Sequence, residues 1–126
     1  MKLEAARRAA GPIVLGFASG GFRTDQGIYR ALLLTVEAAT AWNPPPLDAL
    51  DLAALAPLFA LPAEFILLGT GPTLLRPPTA LTRAIEARGL GLEAMDSHAA
   101  ARAWGVLRGE GRRIAAALYP VTALAG

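Results

Sequence analysis

The sequence predicts an α/β domain with helices layered on a mixed sheet, and three observations carry that prediction. Helical and strand patterns alternate beyond Pro46. Phe65-Ile66-Leu67-Leu68 is an unbroken apolar run ending on Gly69, as a strand covered on both faces requires. Ala100, Ala103, Trp104 and Leu107 recur at the i, i+3, i+4, i+7 spacing of a helix with one buried face. A chain of 126 residues suits one domain, 1–126, with a single substantial core.

The elements follow in order. Ile13–Ala18 reads as a strand and Ser19-Gly20-Gly21 as a turn. Phe22–Thr24 and Ile28–Val36 read as the arms of a hairpin closed by Asp25-Gln26-Gly27, whose glycine supplies a positive φ. Pro44-Pro45-Pro46 interrupts regular structure, since proline lacks a donor and restricts its predecessor. Asp48 is placed to cap a short helix through Leu50, Leu52 and Leu55 that ends near Pro57. Glu64–Gly69 is the central strand, and Thr79 opens a helix with Leu81, Ala84 and Ile85 inward and Gly89 at its end. Leu90–Met95 is a strand, Asp96 or Ser97 caps the Trp104 helix, and Arg113–Tyr119 closes the sheet.

Composition excludes several functions. The chain has no cysteine and one histidine, His98, which removes disulfides, thiolate chemistry and any His-rich or Cys-based metal site. Hydrophobic residues make up 54% and mean hydropathy is +0.42, yet Glu, Arg or Pro breaks the apolar runs. The uncharged stretch 114–126 contains Pro120 and falls short of the roughly 20 residues of a spanning helix. The start, with Lys2 and Glu4, a short apolar piece and then glycines, does not read as a secretory signal, so a cytoplasmic location is expected. The pI of about 9.7 rests on scattered arginines, and a net charge of +2 with one lysine gives no patch for nucleic acid.

Candidate chemistry is sparse. Gly69-Thr70-Gly71 ends a strand as a phosphate loop would, but Pro72 removes a donor, the next helix starts only near Thr79, and neither a third fingerprint glycine nor Gly-Lys-Ser/Thr follows. Asp96-Ser97-His98 sets three catalytic residue types side by side, but neighbours on a helix diverge by roughly 100° and cannot relay a proton. His98 is expected to be exposed. In Gly109-Glu110-Gly111-Arg112-Arg113 the readings are a solvated turn, a salt bridge from Glu110 or Asp96 to Arg112, or an anion site on Arg112.

Three separated motifs then carry a resemblance: the hairpin GFRTDQGIYRALLLT, the strand FILLGTG, and MDSHAAARAWGVLRGEGRRIAAALYP. Together they resemble the Mth938-like domain family of unknown function, which includes the mitochondrial complex I (NADH dehydrogenase) assembly factor 3. Gly69-Thr70-Gly71, Met95-Asp96, Ala100, Leu107, Glu110-Gly111-Arg112 and Ala115-Ala116-Ala117-Leu118 match the pattern. Ser97 and Ala103 each stand where the pattern has Thr, and Gly105 where it has Asn. The resemblance implies a three-layer α/β fold with a central mixed sheet of about five strands and an extra β-hairpin. It implies no established activity or cofactor, and eukaryotic relatives act through protein partners in respiratory-complex assembly.

The expectation is therefore a bacterial, non-enzymatic interaction domain, an assembly factor for membrane or respiratory complexes, with no cofactor and no metal. Its partner would be a protein subunit of such a complex. The competing reading is a small-molecule-binding protein or enzyme whose cleft gathers Gly69, Thr70, Gly71, Asp96, Ser97 and Arg112.

Overall fold

The computed structural model describes residues 11–122, so the charged start with Lys2 and Glu4 and the last residues of the uncharged stretch lie outside the described residues. Strands β1 (Gly16–Ala18), β2 (Gly21–Thr24) and β3 (Gly27–Tyr29) form a three-stranded antiparallel sheet. A second sheet contains β4 (Leu32–Leu34), β5 (Ala39–Ala41), β6 (Phe65–Gly69), β7 (Gly91–Met95) and β8 (Ala115–Leu118) in the order β5-β4-β8-β6-β7. Here β6 runs parallel to β7 and β8, while β4 is antiparallel to β5 and β8. Helix α1 (Thr79–Glu86) joins β6 to β7, and α2 (Ser97–Gly109) joins β7 to β8.

The expected hairpin gains a strand. Ser19 and Gly20, with φ of 53° and 75°, form a two-residue turn of the left-handed kind whose twist suits a hairpin, and it pairs β1 with β2. Only Gly16–Ala18 of the predicted first strand is in the ladder. The predicted arm Ile28–Val36 is not one strand: the chain bends at Arg30 and Ala31, leaving Ile28 on the small sheet and Leu32–Leu34 in the large one. Burial explains the break, because Ile28 is exposed while Leu32, Leu33 and Leu34 are all buried. Strand β5 was not expected from its Ala-Thr-Ala sequence; a turn held by the Thr35 hydroxyl, which accepts from Glu37 and Ala38, folds it back on β4.

A second correction concerns residues 47–60. In place of one short helix capped by Asp48 and ending near Pro57 there are two 3-10 stretches, Leu47–Ala49 and Ala53–Ala60. Asp48 makes no cap bond; Asp51 instead accepts from the Ala54 N–H at 3.0 Å. Pro57 lies inside the second stretch, where its missing N–H would leave an α-helical hydrogen bond unmade. The other helices start at Thr79 and, behind the Asp96 cap, at Ser97; Gly89, at φ 79°, follows the first.

Side-chain alternation along the central strands divides the core. Leu32, Leu34, Leu67, Ala116 and Leu118 face Phe22 of the small sheet and Ala100, Ala101 and Trp104 of α2. Leu33, Ile66, Leu68, Ala115 and Ala117 face Leu50, Leu55, Leu58, Leu81 and Ile85. The result is three layers, which is why the central strands are apolar at every position. Trp104 is wholly buried, and its indole N–H donates to the Pro12 carbonyl at 2.8 Å, tying the segment before β1 to α2.

Trp104→Ala should therefore lower the unfolding free energy by about 3–5 kcal/mol, the usual cost of emptying a large aromatic site. Trp104→Phe, which keeps much of the volume and loses the bond to Pro12, should cost less. Urea unfolding followed by circular dichroism checks the order, and a wild-type midpoint for Trp104→Ala contradicts it.

Candidate functional site

Ligand crevices in open α/β sheets lie outside the carboxyl ends of the strands. In this chain that end of the sheet is where Gly69-Thr70-Gly71 leaves β6 and Asp96-Ser97 starts α2. Five of the six candidate residues meet there.

Ser97 is at the centre and has no solvent exposure. Its hydroxyl donates to the Tyr119 carbonyl at 2.7 Å and accepts from the Gly71 N–H at 2.9 Å, while its own N–H donates to the Gly71 carbonyl at 2.8 Å. The Tyr119 N–H donates in turn to the Gly69 carbonyl at 2.9 Å. This closeness dictates glycine at 69, because a Cβ there would stand 2.7 Å from the Ser97 hydroxyl and 2.9 Å from a Leu118 methyl. Gly71, at φ 110°, occupies backbone space that side chains rarely enter.

Thr70 is 4% exposed. Its hydroxyl donates to the Thr73 carbonyl at 2.7 Å and accepts from the Leu75 N–H at 3.0 Å. Its N–H donates to the Met95 carbonyl at 2.9 Å. The Asp96 carboxylate accepts from the Ala99 N–H at 2.9 Å and so puts negative charge at the helix start that an anion would need. The Thr70 and Ser97 hydroxyls and one oxygen of the Asp96 carboxylate are thus engaged within the chain.

Arg112 is not in this cleft. The connection after α2 turns at Gly111, φ 77°, and delivers Arg112 to the start of β8, the opposite end of the sheet. Along α2 alone the separation is about 20 Å. There its guanidinium donates from two nitrogens to Glu64 Oε1, at 2.7 and 3.1 Å, and lies over the Phe65 ring. The partner expected from the sequence was Glu110 or Asp96; the observed one is Glu64, just before β6, whose Oε2 also accepts from the Arg113 N–H. The Arg112 bond holds the Glu64 carboxyl below the usual carboxylate range and raises Arg112 in return. Both side chains are well exposed, so the pair contributes little stability.

His98 corrects another expectation. It is half-buried, its ring 4.4 Å from that of Phe17, so it packs against β1 instead of standing in water. Ala103, where the pattern has Thr, packs on the core, and a side chain at Gly105, where it has Asn, would meet open space. Both lie about 9 Å or more along the helix from Ser97, so neither is an arm of the cleft. Among the described residues no group of three or more carboxylate or imidazole side chains could hold a metal, and no helix is long and apolar enough to cross a membrane.

Residues 14–119 match the family described as a protein of unknown function, DUF498/DUF598. The chain belongs to the DUF498/DUF598 family. An uncharacterised protein of Rhodobacter capsulatus is 39% identical over 107 residues, covering 84% of this chain and 82% of its own. A crystal structure from Bordetella parapertussis superposes with a TM-score of 0.78 at 30% identity, over 88% of this chain and 97% of that one. A Bordetella pertussis structure described as a Mth938-like domain gives 0.72 at 26% identity, over 88% and 87% of the two chains. The fold is thus Mth938-like: a five-stranded mixed sheet, a three-stranded antiparallel sheet and covering helices.

Three residues at this end of the sheet were not among the candidates expected from the sequence: Leu74, Leu75 and Tyr119. Leu74 and Leu75 are 62% and 50% exposed on the loop that Thr70 braces. Tyr119, beyond closing the clamp with its backbone, donates its phenol to the Pro45 carbonyl at 2.7 Å and stacks edge-on with Trp42. Burial, reinforced by Asp48, pushes the Tyr119 phenol up to about 12.

Ser97→Ala leaves the Gly71 N–H and the Tyr119 carbonyl buried without a partner, and should cost about 1–3 kcal/mol for each group left unsatisfied. Chemical denaturation at neutral pH checks it, and a loss below about 0.5 kcal/mol contradicts the clamp. The Tyr119 phenol has a folded-state value above its unfolded one. Its contribution is therefore fully present below about pH 10 and lost as pH rises toward about 12. The alkaline limb of stability should be shallower in Tyr119→Phe than in wild type, and superimposable limbs contradict the assignment.

Proposed function

We propose that this protein is a non-enzymatic interaction domain that docks on a protein partner, as an assembly factor for a membrane or respiratory complex. The observation that supports this most is the loop after β6. Leu74 and Leu75 are held out in water by a backbone that the buried Thr70 hydroxyl fixes at two points, between Pro72 and Pro77-Pro78. Large apolar side chains exposed on a fixed loop mark contact surfaces, and a loop already in its bound shape loses less entropy on docking. The family also includes the mitochondrial complex I assembly factor 3, which fits the same reading.

The competing reading, a small-molecule site or enzyme, has less support. The hydroxyls of Thr70 and Ser97 are engaged internally, Asp96 caps α2, and Arg112 sits at the far end of the sheet. In the favoured reading the protein works in the bacterial cytoplasm on a protein partner, with neither cofactor nor nucleic acid.

The test is affinity capture of the tagged full-length chain from its own organism, beside a Leu74→Ser/Leu75→Ser double variant. Wild type should retain a reproducible set of complex subunits that the double variant loses, with stability within about 0.5 kcal/mol because the sites are exposed. Equal capture by both proteins contradicts the reading. So does a cofactor screen in which one compound, at 100 times its dissociation constant, stabilises the fold by about 2.7 kcal/mol.

A further inference from the structure

The five-stranded sheet has two edges, β5 and β7, and their chemistry differs. On β5 the ladder bonds fall on alternate residues: the Trp42 N–H donates to the Ala31 carbonyl and the Thr35 N–H to the Ala38 carbonyl. In the same register Thr40 faces Leu33, so the Thr40 N–H and carbonyl are turned toward β4. Ala39 and Ala41 consequently turn their N–H and carbonyl groups outward, and among the described residues neither receives a backbone bond from outside the ladder.

These two residues complement each other. If a second β5 approaches antiparallel about a two-fold axis through Thr40, Ala39 lies opposite Ala41 of the second copy and exchanges two hydrogen bonds with it. Symmetry doubles these to four. Thr40 then meets its own copy in the close, non-hydrogen-bonded position, where paired threonines are favourable. Small side chains flank the axis, Trp42 falls opposite Ala38, and the nearest charge, Glu37, falls opposite Asn43.

The same construction on β7 fails. The Met95 carbonyl accepts from Thr70, so Leu92 and Ala94 carry the outward groups. Full antiparallel overlap of two β7 strands therefore sets Glu93 against Glu93. Like charges directly opposed are destabilising, and a charged, exposed residue is a common guard on an edge strand. One edge is guarded and the other is self-matching.

We propose that β5 is a homodimer interface, at which two copies of this chain join their five-stranded sheets across the Thr40 pair. The contact is independent of the Leu74-Leu75 loop, so either proposal can fail alone.

Substitutions on the two edge strands test it. The chain has no cysteine, so Thr40→Cys gives one thiol per copy, at a Cα separation of about 4.5 Å that lies within disulfide range. Diamide oxidation should link it into dimers and leave Glu93→Cys unlinked. By equilibrium sedimentation the wild type should approach twice the 13.1 kDa chain mass on concentration. Thr40→Glu and Thr40→Lys should each remain at the chain mass, and an equal mixture of the two should recover the dimer. Proline at Ala41 removes an outward N–H and no ladder bond, and should also abolish association. A wild type that stays monomeric at every concentration, or a dimer unaffected by Thr40→Glu and Ala41→Pro, overturns the proposal. So does a dimer that forms only after residues 1–10 are deleted, since that segment would then be the occupant of the edge.

Discussion

One buried hydroxyl connects three parts of the chain. Ser97 begins α2, Gly71 follows β6 and Tyr119 follows β8, and the Ser97 side chain bonds to both of the others. Backbone groups just beyond strand ends have no ladder partner and cannot be left dry without cost. A single side chain that donates and accepts meets two such needs. It also fixes how closely the helix approaches the sheet, and the absence of a side chain at Gly69 is the sequence counterpart of that distance. The bracing of the following loop by Thr70 depends on this geometry, because the turn must be anchored before its tip can be held.

Much of this was legible in the residues, and the parts that were not have a common cause. The unbroken apolar runs of the central strands, the Asp96 cap and the Trp104 face rest on local spacing, and local spacing is what a sequence displays. Strand β5 is not legible in the sequence because alanine has little strand preference of its own; its partner Leu32–Leu34 makes it a strand. The 3-10 stretches are not legible because Pro57 and a cap from Asp51 outweigh an apolar pattern that suits an α-helix equally well. Arg112 lies outside the expected cleft for a topological reason. Residues adjacent in a family motif, Asp96 to Arg112, are carried to opposite ends of the sheet by the helix between them.

The clamp also bears on what the fold can do. A crevice at the carboxyl end of a parallel strand pair is where many α/β proteins bind ligands, and here the chain fills that place with its own backbone. The neighbouring loop, in contrast, turns its leucines outward. The same end of the sheet thus offers apolar surface and withholds polar groups, a division better matched to another protein than to a charged metabolite.

The strand order has a further effect, on how the protein is made. β8, the last described strand, lies between β4 and β6. Until it is available, the pair β4-β5 and the pair β6-β7 share no hydrogen bonds, and the apolar flanks of both remain open. A nascent chain could form local hairpins and helices early, yet the large sheet closes only in one late step that spans most of the sequence. Topologies of this kind fold slowly and are exposed to wrong pairings meanwhile. The small, uniform surface of Ala115-Ala116-Ala117 suits a strand that must slide last into a gap already bounded on both sides.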